Sequence, residues 1–253
     1  MKVLLPKILC FAIISILFFG ASSCSKPVPR VLVFSKTKGW RHDCIPAGKI
    51  ALEKMGVENR FRTTFSEDAS IMNPDSLKQF AAVVFFCTTL DILDNTQQAA
   101  FEKYIQSGKG FVGIHAAADT EYDWAWYNKL VGAQFAGHPP GTPTATVQVV
   151  DRNFIANKHL TSDTWTRVDE WYNYKNFNST VTVVLNLDET SYKGGTMGAQ
   201  HPIAWYHNYD GGRAFYTGLG HTIASYSDPV FLQHILGGIK YAIMGDTGKK
   251  TTP

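Results

Sequence analysis

Unbroken apolar blocks too short for helices mark the first half of the chain: Val31 to Phe34, Ala81 to Cys87 and Phe111 to Ile114. Such blocks are the pattern of parallel strands covered on both faces. Between the first two, a polar loop from Lys36 to Cys44 leads to Pro46, where Ile50, Leu52 and Met55 recur at helical spacing and Gly56 gives a stop. Asn59 to Thr64 alternates weakly as a further strand, and Asn73-Pro74-Asp75 opens a short helical turn. Asn95 with Gln98 reads as a capping box for a helix carrying Ala99, Phe101, Tyr104 and Ile105, closed at Gly108. Gly108-Lys109-Gly110 is then a turn. Strands alternating with helices imply right-handed crossovers and an α/β, doubly wound, mainly parallel sheet.

Beyond residue 120 the period changes. Trp124 to Val131 reads as a helix, and the prolines and glycines of Gly137 to Pro143 exclude regular structure, leaving a shaped loop. Thr144 to Val150 and Val181 to Leu187 alternate as strands. Ile203 to Tyr206 and Arg213 to Thr217 flank Asn208-Tyr209-Asp210-Gly211-Gly212, a hairpin signal. Antiparallel strands are therefore added in the C-terminal half. Asp228-Pro229 caps a last helix with a wide apolar face from Phe231 to Ile243.

Composition adds an export reading. Lys2 and Lys7 flank the start of an apolar run from Ile8 to Phe19, and Ala21-Ser22-Ser23 precedes Cys24. This resembles the signal peptide and lipobox of bacterial lipoproteins, with Cys24 as the lipidated residue and a membrane-anchored, exported protein as the expectation. Residues 25–29 then form a tether, 30–245 a single domain and 246–253 a polar tail. Of the 4 cysteines, Cys44 and Cys87 would remain as thiols, either as a disulfide in an oxidising compartment or as two buried free groups. A net charge of +3 without a basic stripe gives no case for a nucleic-acid partner.

The candidate chemistry is histidine at strand ends. His42, His115, His138 and His221 all follow strands or sit in loops, and a parallel sheet delivers His42 and His115 to one carboxyl edge, where α/β proteins bind ligands. His201 and His207 bracket a hairpin strand, and His159 and His234 have no chemical neighbour in sequence. His115 and Asp119 would share a face where a helix begins. Imidazole with carboxylate is the ligand set of a divalent metal such as zinc, and equally that of a general base with its orienting acid; spacing does not separate the two. Phosphate-binding glycine loops are absent, so no nucleotide cofactor is expected. Among many aromatic residues, Trp40 and Trp171 stand amid polar neighbours and suit a sugar-stacking surface, with Arg41 and Tyr172 beside them.

Six ordered segments carry a family resemblance: Gly39 to His42, Gly110 to His115, Gly137 to Pro139, Asp169 to Tyr172, His201 to Trp205, and Gly212 to His221. Over roughly residues 30–244 the chain resembles the trehalose-utilisation ThuA-like family. That implies a flavodoxin-like fold of the class I glutamine amidotransferase-like type, in which a cysteine nucleophile occupies a strand-to-helix elbow. Here His115 stands at that position, so amidotransferase chemistry is not expected. The resemblance implies instead a role in carbohydrate catabolism on sugars oxidised at C3. On it rests the expectation of an enzyme processing 3-oxo glycosides or disaccharides, with His42, His115, His138, Glu170, His221 and Asp119 lining the site. His115 and His221 would be ligands or electrophilic partners and Glu170 the general base. A sugar-binding module without catalysis, and a purely structural histidine cluster, are the alternatives.

Overall fold

The computed structural model describes residues 27–244. The expected signal segment, Cys24, part of the tether and the polar tail lie outside the described residues. In chain order the elements are β1 (Arg30–Phe34), α1 (Ile45–Glu58), β2 (Arg62–Ser66), α2 (Pro74–Leu77), β3 (Ala82–Phe86), α3 (Asn95–Gln106) and β4 (Gly110–Ile114). Then follow α4 (Ala125–Val131), β5 (Gln134–Gly137), β6 (Thr144–Val149), β7 (Thr164–Val168), β8 (Asn173–Lys175), β9 (Thr182–Asp188), β10 (Pro202–Tyr209), β11 (Gly212–Thr217) and α5 (Pro229–Met244).

A 9-stranded sheet runs in the order β2-β1-β3-β4-β11-β10-β9-β6-β7, and β5 pairs with β8 in a small second sheet. The pairs β2–β1, β1–β3, β3–β4 and β4–β11 are parallel; the others in the large sheet are antiparallel. This is the doubly wound half with an antiparallel extension that the apolar pattern predicts. β1, β3 and β4 carry the continuous apolar blocks because both of their faces are covered; β3 and β4 are buried along their whole length. The β10–β11 hairpin turns at Asp210 and Gly211, both at positive φ (47° and 87°), as a two-residue turn between twisted strands requires. Among the described residues no helix is long and apolar enough to cross a membrane.

Several boundaries differ from the sequence reading. The second strand lies at Arg62–Ser66, later than Asn59 to Thr64, because Asn59 closes α1 through its backbone N–H on Met55 O. The capping box of α3 is Asp94 with Gln97, one residue earlier than Asn95 with Gln98. Asp94 has the extended backbone of a cap, and its carboxylate accepts the N–H groups of Thr96 and Gln97. The segment after β4 is a 3-10 turn from His115 to Asp119 and not the start of an α-helix. β5, β7 and β8 carry no apolar signal strong enough to announce them.

Candidate functional site

The carboxyl ends of β1, β3, β4 and β11 open on one edge of the sheet. His115 follows β4 directly at φ +53°, a left-handed backbone found at sharp strand-to-helix elbows and rare for a residue with a side chain. Neighbours brace it. The Tyr216 hydroxyl donates to the His115 carbonyl at 2.8 Å, and His115 Nδ1 lies 2.9 Å from the Gly218 carbonyl oxygen. A carbonyl can only accept, so Nδ1 carries a proton and Nε2 is the ring nitrogen turned to the site.

That nitrogen meets a crowd. His115 Nε2 is 3.2 Å from His221 Nδ1 and 3.3 Å from Glu170 Oε2, and His221 Nδ1 is 3.2 Å from the same carboxylate oxygen. His42 packs edge-on to both rings, with centroids 4.8 Å from His115 and 5.2 Å from His221. One donor atom from each of His42, His115, Glu170 and His221 lies within 4.8 Å of the others. His138 stands at the margin, its Nδ1 2.9 Å from the Pro139 carbonyl and 3.4 Å from Glu170 Oε1.

Burial opposes the charge on Glu170, but its contacts with the His115 and His221 rings outweigh that and hold the carboxyl well below the usual carboxylate range. His221 moves up for the matching reason: Glu170 overcomes its desolvation. Burial, and then the neighbouring imidazoles, depress His42 to about 3, so it is a neutral nitrogen donor at any ordinary pH. Asp119 is pushed up, chiefly by burial, although the Tyr122 hydroxyl donates to it.

These features fit a divalent cation. With Nδ1 committed to Gly218, His115 Nε2 is left to share a proton with Glu170 or to bind a metal between them. His42 Nδ1 is buried without a hydrogen-bond partner. Three imidazoles and one carboxylate form the donor set of zinc and other borderline first-row ions.

Asp169 holds the arrangement from behind. Fully buried, it accepts the backbone N–H groups of Glu170 (3.1 Å), His221 (2.9 Å) and Gly220 (2.9 Å), and Arg167 Nη2 at 2.9 Å. Gly220 can follow this path because its φ of +109° is open to glycine. Arg167 is tied in turn to Ser225 at 2.7 Å. One carboxylate thus joins the segment carrying Glu170 to the segment carrying His221.

A cleft of about 420 Å³ opens above the cluster, lined by Trp40, His42, Asp119, Phe135, His138, Glu170, Tyr172 and His221. Its size suits a small ligand. A larger groove between α1 and α5, about 520 Å³, holds none of the cluster residues. Tyr172 forms a wall, its ring 4.4 Å from that of His115 and 4.3 Å from that of Phe135. Two expected ligand-contacting residues lie elsewhere. Trp171 is fully buried, with its indole N–H on Pro143 O at 2.7 Å, because the chain alternates and Tyr172 takes the cleft-facing position. Arg41 turns away to a two-pronged pair with Glu67 at 2.8 and 2.9 Å. Cys44 and Cys87 are free thiols with sulfurs 3.7 Å apart, so of the two readings the structure has buried free groups and no disulfide. The other histidines bond within the framework: His207 to Leu130 O, and His201 to Glu189 and Tyr172 O. Phe135 and Asp169 were missed as site residues. The first sits in a short strand without periodicity, and the second was visible only as an acid beside Glu170.

The family model for trehalose utilisation, ThuA, matches residues 30–242. The chain belongs to the ThuA family. The six segments that suggested it include His115 beneath the cleft and the cleft-lining His42, His138, Glu170, Tyr172 and His221. Among solved structures, a ThuA-like protein from Bacteroides uniformis is 20% identical with a TM-score of 0.75, covering 90% of this chain and 97% of its own. A ThuA-like protein from Parabacteroides merdae is 19% identical with a TM-score of 0.70, over 89% and 93%. A β-galactosidase from Bacillus circulans is 12% identical with a TM-score of 0.53, over 86% of this chain and 31% of that one. At these identities the likeness is one of fold. No curated protein matches the chain.

Proposed function

We propose that this ThuA-family chain is an enzyme of carbohydrate catabolism that cleaves 3-oxo glycosides at a divalent-metal centre. His42, His115, Glu170 and His221 would hold the ion. The observation that carries the reading is the convergence of these donors within 4.8 Å, with His115 Nδ1 committed to the Gly218 carbonyl so that Nε2 faces the others. When bound, the cation supplies Lewis-acid polarisation of the substrate's C3 carbonyl oxygen.

The chain's own groups do the proton work. A ketone at C3 acidifies the proton on C2. Asp119, in the cleft wall and pushed up by burial, accepts that proton, and the C2–H electron pair becomes the C1–C2 double bond as the C1–O bond to the aglycone breaks. His138, at the margin, protonates the departing oxygen. The carboxylate of Glu170 is held in its charged form and serves better as a ligand than as the base. Tyr172 and Phe135 exclude water from one wall.

The test is turnover. Purified zinc-loaded protein given a 3-oxo glucoside should release the aglycone, and His115→Ala should abolish the release. Stoichiometric glycoside binding without turnover would overturn the enzyme and leave the sugar-binding module. We also propose that the protein is exported and anchored through lipid on Cys24, which mass spectrometry of the mature N-terminus would test.

A further inference from the structure

The rim of the cleft carries apolar features that the proton chemistry does not use. Trp40 is 70% exposed and Leu90 40% exposed. A single exposed leucine is ordinary, but Leu90 is also at φ +59°, a backbone that a branched side chain pays to adopt. The surroundings hold it there: Leu90 N donates to Asp119 O at 2.7 Å, and its carbonyl accepts Glu121 N at 3.2 Å. The buried Glu121 carboxylate then accepts the N–H groups of Ile92 and Leu93, both at 2.8 Å.

The same loop fixes Trp40. The hydroxyl of fully buried Thr89 accepts Gly39 N at 3.1 Å and donates to Trp40 O at 3.2 Å, while Lys38 N donates to Thr89 O at 3.0 Å. A Cβ on Gly39 would lie 2.9 Å from Leu90 Cγ, so the leucine side chain rests on the backbone directly before Trp40. Two large apolar groups are thus presented on backbone ordered in advance, which lowers the cost of binding a ligand there. The Arg41 guanidinium beside them is engaged by Glu67. Lys38 and Asp91, exposed and opposite in sign, flank Trp40 and Leu90 in sequence.

We propose that Trp40 and Leu90 form a second subsite, for an aromatic aglycone, so that the preferred substrate is an aryl glycoside and not a disaccharide. This rests on the reading of the cleft as a sugar site. Trp40 and Asp119 line the cleft and Leu90 adjoins the backbone of both segments, so an anomeric substituent turned to this side of the cleft meets the rim. A second sugar ring would lay hydroxyls against an isobutyl group that cannot hydrogen-bond to them. An aromatic ring offers one face to the indole and apolar contact to the leucine.

Calorimetric titration of the zinc-loaded protein with phenyl and methyl glucosides, in both anomers, separates the outcomes. Phenyl glucoside is expected to bind about tenfold more tightly than methyl glucoside of the same anomer. Leu90→Asn should cut that ratio at least threefold, and Leu90→Met should retain it. Asparagine tolerates the left-handed backbone, so the variant should fold at least as well as the parent. A phenyl-to-methyl ratio near one, or a ratio unchanged by Leu90→Asn, overturns the subsite while leaving the sugar site standing. Failure of every glucoside to bind overturns the subsite, and the sugar site with it when a 3-oxo glucoside also fails to bind.

Discussion

Replacing Asp169 by Asn removes the charge of the buried carboxylate while keeping its shape. One of its oxygens becomes an NH2 group, which must face either the pair Gly220 N and Arg167 or the pair His221 N and Glu170 N. Either way two buried donors lose their acceptor, at about 1–3 kcal/mol each. In the first orientation the Arg167 guanidinium keeps Ser225, a 3.5 Å contact with Asp228 and its packing over the Trp165 and Phe231 rings. The expected loss is about 3–5 kcal/mol, a large part of the ~5–15 kcal/mol that holds a domain folded. Urea denaturation followed by tryptophan fluorescence reads it directly, with exposed Asp75→Asn as a control that should stay within about 0.5 kcal/mol. Because Asp169 joins the Glu170 and His221 segments, zinc affinity should fall with stability. A loss under about 1 kcal/mol, with the denaturant slope unchanged, would refute the pinning role.

Other consequences follow from the same geometry. His234 is fully buried, and desolvation, aided by the charge of His159, depresses it to about 3 from the usual 6.5. Between those values the unfolded chain binds the proton and the folded chain does not, so stability is full above pH 6.5 and is lost as pH falls toward 3. This group contributes a slope of up to about 1.4 kcal/mol per pH unit. His234→Gln should flatten the acid limb of urea midpoints between pH 6.5 and 4, and an unchanged limb would contradict the assignment. The two tryptophans should separate. Trp171→Phe leaves Pro143 O without its donor and a gap in the core, costing about 2–4 kcal/mol in denaturant titration, whereas Trp40→Ala should change stability by under about 0.5 kcal/mol and weaken glucoside binding in calorimetry.

Much of the site was legible before any coordinates because the chemistry sits where a parallel sheet delivers it. Once β1 and β4 are read as parallel strands of one doubly wound sheet, His42 and His115 must share an edge, and the motif around Gly220 places His221 with them. Glu170 was legible only through its family motif. Trp171 was misread for a physical reason: its polar neighbours in sequence, Asp169 and Glu170, face inward to the cluster and its support, so polarity there marks a buried network and not a solvent-facing strand. Asp169 was passed over because a residue that acts through backbone N–H groups leaves no trace in spacing. Phe135 and the strands β5, β7 and β8 depend on contacts between distant segments, Phe135 with Tyr174 and Thr144 with Val168 among them, which local periodicity does not encode. Leu90, too, reads as an ordinary residue until its positive φ is seen.

The four-donor centre is open to a direct test. Crystals grown with zinc and measured on both sides of the zinc absorption edge should give one anomalous peak bounded by His42, His115, Glu170 and His221, at about 2.0–2.2 Å from each donor. The peak should vanish in His115→Ala. A fully occupied zinc elsewhere with none in the cluster, or zinc retained in the cluster of His115→Ala at unchanged occupancy, would contradict the account.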